Sequence, residues 1–359
     1  MTSRPLAEPV GGGGPARRAT IRDVAEAAAV SRSTASRALT GRGYVAPVVR
    51  DRVHKVAREL GYVPDATARH LRQQASQSVG VLVSDLRNDF YASLASGVSQ
   101  QARKLQYTMM LSDTMLRSDD RAVADVEAEA AEAFVAVRVA GVVVTPVSSF
   151  ITEYLARHRI PAVEVDRQFA AGTCDAVVVD NEGAARRVTT DLLALGHRRI
   201  ALVIDETDWT TGRDRSAGYL SAFAVAGVPV DRSLVVTAGW DVDDARREAH
   251  RLLRLAEPPT AIFAANNVLA EGVWRAAADL QLEIPRELSL VTFDDAPWMS
   301  MVRPGITAVA QDAVAMGEAA MTQLIERIQA PLGPVRTVMF SPTLIDRGST
   351  AAPAGHVAD

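Results

Sequence analysis

Two arginines and a serine lie close together in the run RSTASR, residues 32–37. The planar guanidinium group of arginine can bond guanine O6 and N7 at once in the major groove of DNA. Arg32, Ser33 and Arg37 are therefore candidates for reading base edges, provided that one helix presents them on its outer side. A plain helical hairpin with a solvated basic face would carry the same residue types, so spacing alone leaves both interpretations open.

The stretch from residue 20 to residue 37 predicts two short helices around a tight turn. Apolar residues recur at helical spacing over positions 21–28, and Thr20 with Asp23 can cap the first helix. Ser31 can cap the second helix, with Val30 packed against it. The buried side of the second helix is formed by Ala35, Ala38 and Leu39. This layout is that of a helix-turn-helix.

A third helix is predicted after the turn at residues 41–44. Pro47 suits its first position and Gly61 its end, whereas Ala46 makes a weak N-cap. Its core face is expected to contain Val49, Val53, Val56, Ala57 and Leu60.

Charge divides the chain into a basic head and an acidic body. Residues 16–75 carry 12 Lys and Arg against 5 Asp and Glu, a net of +7, while residues 76–359 carry 26 against 37, a net of −11. This asymmetry is typical of a DNA-binding module joined to a separate domain. The head would supply the salt-sensitive contacts with phosphate.

Composition excludes several other classes of protein. The 359 residues are 48% hydrophobic and 23% charged, as in ordinary globular proteins, and the only cysteine is Cys174. No apolar run approaches the roughly 20 residues of a membrane span, and the glycine-rich start lacks a signal-peptide core. We therefore expect a cytoplasmic protein without a membrane partner.

Motifs of common enzymes are missing from the chain. There is no G-x-G-x-x-G after a strand, no Walker loop, no G-x-S-x-G elbow and no H-E-x-x-H frame. Gly11–Gly14 would suit a phosphate loop, but no strand precedes it and no Gly-Lys-Ser/Thr follows. We predict no enzyme activity, no cofactor and no metal.

From Ser78 to Phe293 predicted strands alternate with predicted helices, such as those at 119–138 and 214–226. This alternation indicates parallel sheets with helices on both faces. Ligands of open parallel sheets bind beyond the carboxyl ends of the strands. The polar residues placed there are Asp85, Asn88, Asp166, Arg167, Arg215, Asn266 and Asp294, and the aromatic residues that could stack on a ligand are Phe90, Trp209 and Trp240.

Residues 20–37 resemble the head of the LacI/GalR family of bacterial transcription factors. The family pattern is roughly T-hydrophobic-x-D-V-A-x-x-A-x-V-S-x-x-T-x-S-R, and the chain departs from it at Ala29, where the family usually has glycine in the turn. Alanine there is expected to strain or reshape the turn. The resemblance extends to about Asp346 and implies an all-α head with a hinge helix, followed by an α/β two-lobed domain like that of periplasmic binding proteins.

The resemblance also implies how the chain contacts operator DNA. Residues 65–72 match the family's hinge helix, and Leu71 holds the position of the leucine that wedges into the minor groove. Asp65 replaces the family's usual asparagine. A solvated linker helix is the alternative for this segment. The predicted DNA-contacting residues are Thr20, Arg22, Ser31, Arg32, Ser33, Thr34, Arg37, Arg69 and Leu71.

The strand-end residues named above match the motifs with which the family binds its effector. The resemblance implies that this effector is a sugar or another hydroxyl-rich molecule. Asp89 replaces a common proline, and Asn267 follows Asn266 where the family usually has aspartate. Structural caps and turns are the alternative roles of the polar residues, and core packing that of the aromatic residues.

These observations predict five segments. They are a disordered tail (1–16), a helix-turn-helix domain (17–63), a hinge helix and linker (64–76), a two-lobed effector-binding and dimerisation domain (77–350), and a second disordered tail (351–359). The first lobe is expected to contain about 77–178 and 305–332, and the second about 179–300 and 336–350. The chain would cross between lobes near Val179, Ala296–Pro304 and Pro331–Val335.

The predicted function is a ligand-controlled repressor that binds double-stranded operator DNA as a homodimer. A solute-binding protein of a transporter is the main alternative, because it would share the body fold. A sugar- or nucleoside-processing enzyme, with the cleft carboxylates as acid and base, is the other.

Overall fold

The computed structural model describes residues 19–41, 43–62, 76–115 and 122–354. The two predicted tails lie wholly or partly outside these ranges, as do the hinge helix with Arg69 and Leu71 and the start of the helix predicted at 119–138. The chain divides into two compact units, Met1–Ala75 and Ser76–Asp359. Among the described residues, no helix is long and apolar enough to cross a membrane.

The first unit packs three helices around a small apolar core. They are α1 (Ile21–Ala27), α2 (Arg32–Thr40) and α3 (Pro47–Glu59). The core contains Val24, Ala25, Ala28, Ala35, Ala38, Val45, Val53 and Ala57. Leu60, which was expected on the core face of α3, is 42% exposed, because it lies one position beyond the end of that helix.

The caps agree with the sequence. Thr20 Oγ1 accepts a hydrogen bond from the Asp23 amide while the Asp23 carboxylate accepts one from the Thr20 amide, which forms a complete capping box. Ser31 caps α2 through the Thr34 amide at 3.1 Å. Ala46 provides no side-chain cap for α3, as predicted.

The turn between α1 and α2 places Ala29 in the left-handed region, with φ of 51°. This conformation costs an L-residue with a Cβ atom roughly 1–2 kcal/mol. The expectation that alanine strains this turn is therefore confirmed.

The second unit contains two six-stranded sheets, each packed against helices. The first sheet has the order β11-β5-β4-β3-β1-β2. Its strands are β1 (Ser78–Val83), β2 (Thr108–Asp113), β3 (Val142–Val144), β4 (Ala162–Val165), β5 (Asp175–Val179) and β11 (Thr337–Phe340). Its helices are α4 (Asp89–Lys104), α5 (Val123–Ala136), α6 (Phe150–Arg157) and α11 (Ala313–Gln329).

The second sheet repeats this arrangement with the order β12-β10-β9-β8-β6-β7. Its strands are β6 (Ile200–Ile204), β7 (Val235–Thr237), β8 (Ala261–Ala264), β9 (Ser289–Phe293), β10 (Thr307–Ala310) and β12 (Thr343–Ile345). Its helices are α7 (Asn181–Ala194), α8 (Thr210–Ala226), α9 (Val242–Leu253) and α10 (Asn267–Asp279), with short 3-10 turns at Arg232–Leu234 and Pro297–Ser300. The pairing is parallel except that β12 runs antiparallel to β10.

Two of the three predicted crossings between lobes are wrong. The chain leaves the first sheet after Val179, but it returns between Ala310 and Ala313 rather than near Ala296–Pro304. The last crossing lies between β11 and β12 rather than near Pro331–Val335. The lobe boundaries at 305 and 336 therefore shift, because β10 belongs to the second sheet and β11 to the first.

Close backbone contact explains why α11 belongs to the first lobe. Gly97 of α4 approaches the Val314 carbonyl, and Gly317 of α11 approaches the Leu94 carbonyl, so closely that a Cβ atom on either glycine would collide with backbone. The two helices meet through these glycines, and no local pattern in either helix reveals that partner.

The strain at Ala29 predicts that Ala29→Gly stabilises the first unit by about 1 kcal/mol, because glycine tolerates positive φ. Amide hydrogen exchange at Val24 and Ala28 in the full chain measures this gain. Ala27→Gly is the matched control: Ala27 lies in the last turn of α1, so glycine there should destabilise by roughly 0.5–1 kcal/mol. Unchanged protection in Ala29→Gly would contradict the assignment of strain.

Candidate functional site

A pocket lies where the carboxyl ends of the strands of both sheets face each other. All ten predicted effector residues line it, namely Asp85, Asn88, Phe90, Asp166, Arg167, Trp209, Arg215, Trp240, Asn266 and Asp294. The pocket is also lined by residues that the sequence patterns do not predict, namely Ser84, Tyr91, Thr114, Met115, Asp205, Thr211 and Val268. The structure thus brings the predicted residues together, and whether they bind an effector stays a prediction.

The pocket is small, with a volume of about 50 Å³. That is room for a few water molecules, since a single water needs roughly 10–15 Å³ on this measure. A second cavity of about 270 Å³ lies beside it, and Phe90 and Asp294 line both. A sugar ring can therefore enter the smaller pocket only if the lobes part or its side chains move.

Arg167 is a buried residue in the lining of the pocket. It is 1% exposed, and its guanidinium carbon lies 3.4 Å from the centre of the Trp209 ring, a cation–π contact between the lobes. Its Nη2 donates to the Tyr91 hydroxyl at 3.1 Å, and that hydroxyl donates to Asp166 at 3.0 Å. Within the described part of the chain, Arg167 Nε and Nη1 have no hydrogen-bond partner. Two donors are thus available to a ligand.

Arg215 is held within the second lobe instead. Its Nε donates to Asn181 Oδ1 at 2.8 Å, its Nη1 donates to the Ala265 carbonyl, and its guanidinium carbon lies 3.7 Å from the centre of the Phe293 ring. These contacts fix the orientation of the guanidinium group at the wall of the pocket.

Burial raises the pKa of two carboxyl groups here. Desolvation raises the pKa of Asp294 to about 6, although Arg215 and a hydrogen bond from Gln311 lower it in part. Desolvation likewise raises the pKa of Asp205, opposed by the positive charges of Arg215 and Arg167. Gln311 is not among the predicted residues, because it follows β10, a strand that the sequence pattern does not predict.

Two corresponding aspartates have strained backbones. Asp166 directly follows β4 with φ of 68°, and Asp294 directly follows β9 with φ of 65°. These strands occupy matching places in the two sheets. Buried non-glycine residues with left-handed backbones often mark functional sites, because the surrounding structure must hold them there.

Asn88 and Asn267 bridge the two lobes through their side-chain amides. Each Nδ2 donates to the other residue's Oδ1 at 3.1 Å, although 179 positions separate the residues. Asn88 also caps α4, and Asn266 caps α10. Asn267 therefore contributes to a contact between the two lobes.

In the first unit, the side chains predicted to read bases lie on the surface. Arg22, Arg32, Ser33 and Arg37 are exposed. Ser31 Oγ lies 2.8 Å from Ser33 Oγ and 2.8 Å from Thr34 Oγ1, so these hydroxyls form one polar group at the start of α2. Thr20 and Ser31 are caps as well as candidate contacts. Arg69 and Leu71 lie outside the described residues.

Comparisons with known proteins agree with both units. Residues 20–65 match the model for bacterial regulatory proteins of the lacI family, and residues 189–350 match that for a periplasmic binding protein-like domain. Catabolite control protein A of Priestia megaterium is 32% identical over 308 residues, which cover 85% of this chain and 91% of that protein.

Two solved structures are also similar. A LacI family transcriptional regulator from Enterococcus faecium with bound ribose has a TM-score of 0.68 and 26% identity, covering 77% of this chain and 99% of that one. The Lac repressor dimer bound to operator and the anti-inducer ONPF has a TM-score of 0.81 and 24% identity, and the match covers 94% of this chain and 100% of that one. At that identity the second comparison supports the fold alone.

The asparagine bridge predicts that Asn267→Ala shifts the lobes toward an open arrangement. Two hydrogen bonds are lost, worth about 1–3 kcal/mol together. Because Arg167 of one lobe covers Trp209 of the other, opening should hydrate Trp209 and move the tryptophan emission to longer wavelength. Asp243→Ala, in the first turn of α9, is the control. Emission equal to that of the control would show that the asparagine bridge does not hold the lobes together.

Proposed function

This chain belongs to the lacI family of bacterial regulatory proteins and is a ligand-responsive, DNA-binding transcriptional regulator; we propose that it is a repressor controlled by a neutral sugar. The observation that carries this proposal is the cleft, where residues from both lobes close on one polar pocket. A ligand that binds the two arrangements of the lobes unequally shifts the balance between them.

We assign the two activities to separate parts of the chain. Residues 17–63 bind the operator, 64–76 form the hinge, and 77–350 bind the effector and form the homodimer. The dimer places one head on each half of a near-palindromic operator. Because operator DNA lies in the cytoplasm, we place the protein there.

Several features support a sugar as the effector. Asp85, Asp166 and Asn266 offer hydroxyl-binding groups, while Arg167 has donors without protein partners. The ring centroids of Trp209 and Trp240 lie 4.1 Å apart, and the two side chains offer an aromatic surface to a sugar ring. The similar regulator from Enterococcus faecium contains ribose. Ribose is therefore the first ligand to test.

The alternative of a transporter's solute-binding protein shares the second unit but does not account for a basic helix-turn-helix head. The alternative of a sugar-processing enzyme does not account for the match to the lacI family over that head. We propose neither.

Thermal unfolding with neutral sugars and with their phosphates tests the effector. A ligand at 100 times its Kd should stabilise the protein by about 2.7 kcal/mol. The same sugar should then change the affinity for operator fragments selected from the genome, in one direction or the other. Sugars that stabilise the protein without changing operator affinity would contradict control by that ligand.

Arg37→Ala tests the DNA-reading face. Loss of a bidentate contact with guanine should cost about 1–3 kcal/mol and relax the preference at one base pair of each half-site. Binding to a library of operator variants measures both effects. Arg58→Ala, which removes an exposed arginine from the end of α3, should at most weaken binding evenly across the library. An unaltered base preference in Arg37→Ala would show that Arg37 does not read sequence.

A further inference from the structure

Asp205 is a buried carboxylate in the pocket that the strand-end prediction missed. It directly follows β6 and is 5% exposed. Asn266 Nδ2 donates to its Oδ2 at 3.2 Å. Its Oδ1 has no hydrogen-bond partner in the described part of the chain, although it is buried. One strong acceptor is therefore unused at the wall of the pocket.

Such an arrangement is costly unless something compensates for it. A buried carboxylate oxygen without a donor loses its hydration and gains no hydrogen bond in return. The neighbouring Arg215 and Arg167 offset part of the charge but do not bond this oxygen. Gly212 lies beside it, and a Cβ there would stand 3.1 Å from Oδ1. Asp205 lines the pocket, so the missing donor can come from a ligand bound there.

The repeat between the lobes gives Asp205 a counterpart. β1 and β6 occupy the same place in their sheets, so Ser84 after β1 corresponds to Asp205 after β6. Both residues line the pocket. The first lobe therefore contributes a hydroxyl where the second contributes a carboxylate, and the matched strand ends face the same space.

Arg167, from the first lobe, supplies hydrogen-bond donors that complement the acceptor of Asp205. Its Nε and Nη1 are buried donors without partners, and it lines the pocket with Asp205. A ligand that satisfies both residues must offer a hydrogen-bond donor to the second lobe and an acceptor to the first. A ring with adjacent hydroxyl groups meets both requirements, because each hydroxyl can donate or accept a hydrogen bond.

We propose that Asp205 is a specificity-determining residue that accepts a hydrogen bond from one hydroxyl group of the sugar effector. This inference rests on the proposed function and deepens it. Asp85 is paired with Arg87 at 2.7 Å, and the remaining carboxylates Asp166, Asp205 and Asp294 outnumber the guanidinium groups of Arg167 and Arg215 in the pocket. The site therefore favours an uncharged sugar over a phosphorylated one.

Asp205→Asn is the main test, because it keeps the shape of the side chain and its bond with Asn266 while replacing the free acceptor by a donor. Affinity for D-ribose, measured by calorimetry on the full chain, should fall about 10- to 100-fold. The variant should melt no lower than the wild type, since a buried charge is removed. Asp208→Asn is the matched control, as Asp208 is exposed on the same loop.

Monodeoxyriboses identify the hydroxyl. For the wild type, one of them should bind about 10- to 100-fold more weakly than ribose, and Asp205→Asn should bind that one and ribose with nearly equal affinity. Asp205→Ser, which copies the Ser84 of the other lobe, is the second variant if Asp205→Asn does not fold.

The outcomes separate the two proposals. Ribose binding by the wild type with unchanged affinity in Asp205→Asn overturns the role of Asp205 and leaves the sugar effector standing. Equal losses for every monodeoxyribose in wild type and variant also overturn it. Failure of the wild type to bind ribose or any other neutral sugar overturns the effector class, and the assignment of Asp205 with it.

Discussion

Burial of charge between two lobes is the constraint on which the cleft depends. Arg167 has almost no contact with solvent, and its charge is tolerated because Asp166 lies 3.9 Å away and Trp209 covers its face. Moving an isolated ion from water into a protein interior is so costly that it normally loses its charge instead. Guanidinium remains charged, so the surroundings must supply the compensation. Part of it comes from the opposite lobe, through the Trp209 ring.

This dependence couples the arrangement of the lobes to the chemistry of the pocket. If the lobes separate, Arg167 loses the Trp209 ring, and the Asn88–Asn267 bridge breaks. A ligand that supplies other partners to Arg167 changes the balance of these contacts. The three passages of the chain between the sheets, after β5, after β10 and after β11, are where such a movement bends the backbone.

The repeated architecture explains why residues far apart in sequence converge. Equivalent strands of the two sheets end at the cleft, so Asp166 and Asp294 appear at matching positions with matching backbone conformations. The rule that selected them from sequence, a polar residue directly after a buried strand, applies equally to Asp205. Asp205 directly follows β6, so its sequence position carries the same signal. Tyr91 and Thr211 gave no such signal, because they lie within helices.

The sequence by itself determined the local features: the caps at Thr20 and Ser31, the strain at Ala29, and the strand ends that carry the pocket residues. These follow from side-chain chemistry and periodicity within a few positions. Only the tertiary structure decided which lobe receives β10, α11 and β11, and that Asn88 meets Asn267. Those outcomes depend on the packing of glycine-lined helix faces and on contacts between residues 179 positions apart, which no local pattern encodes.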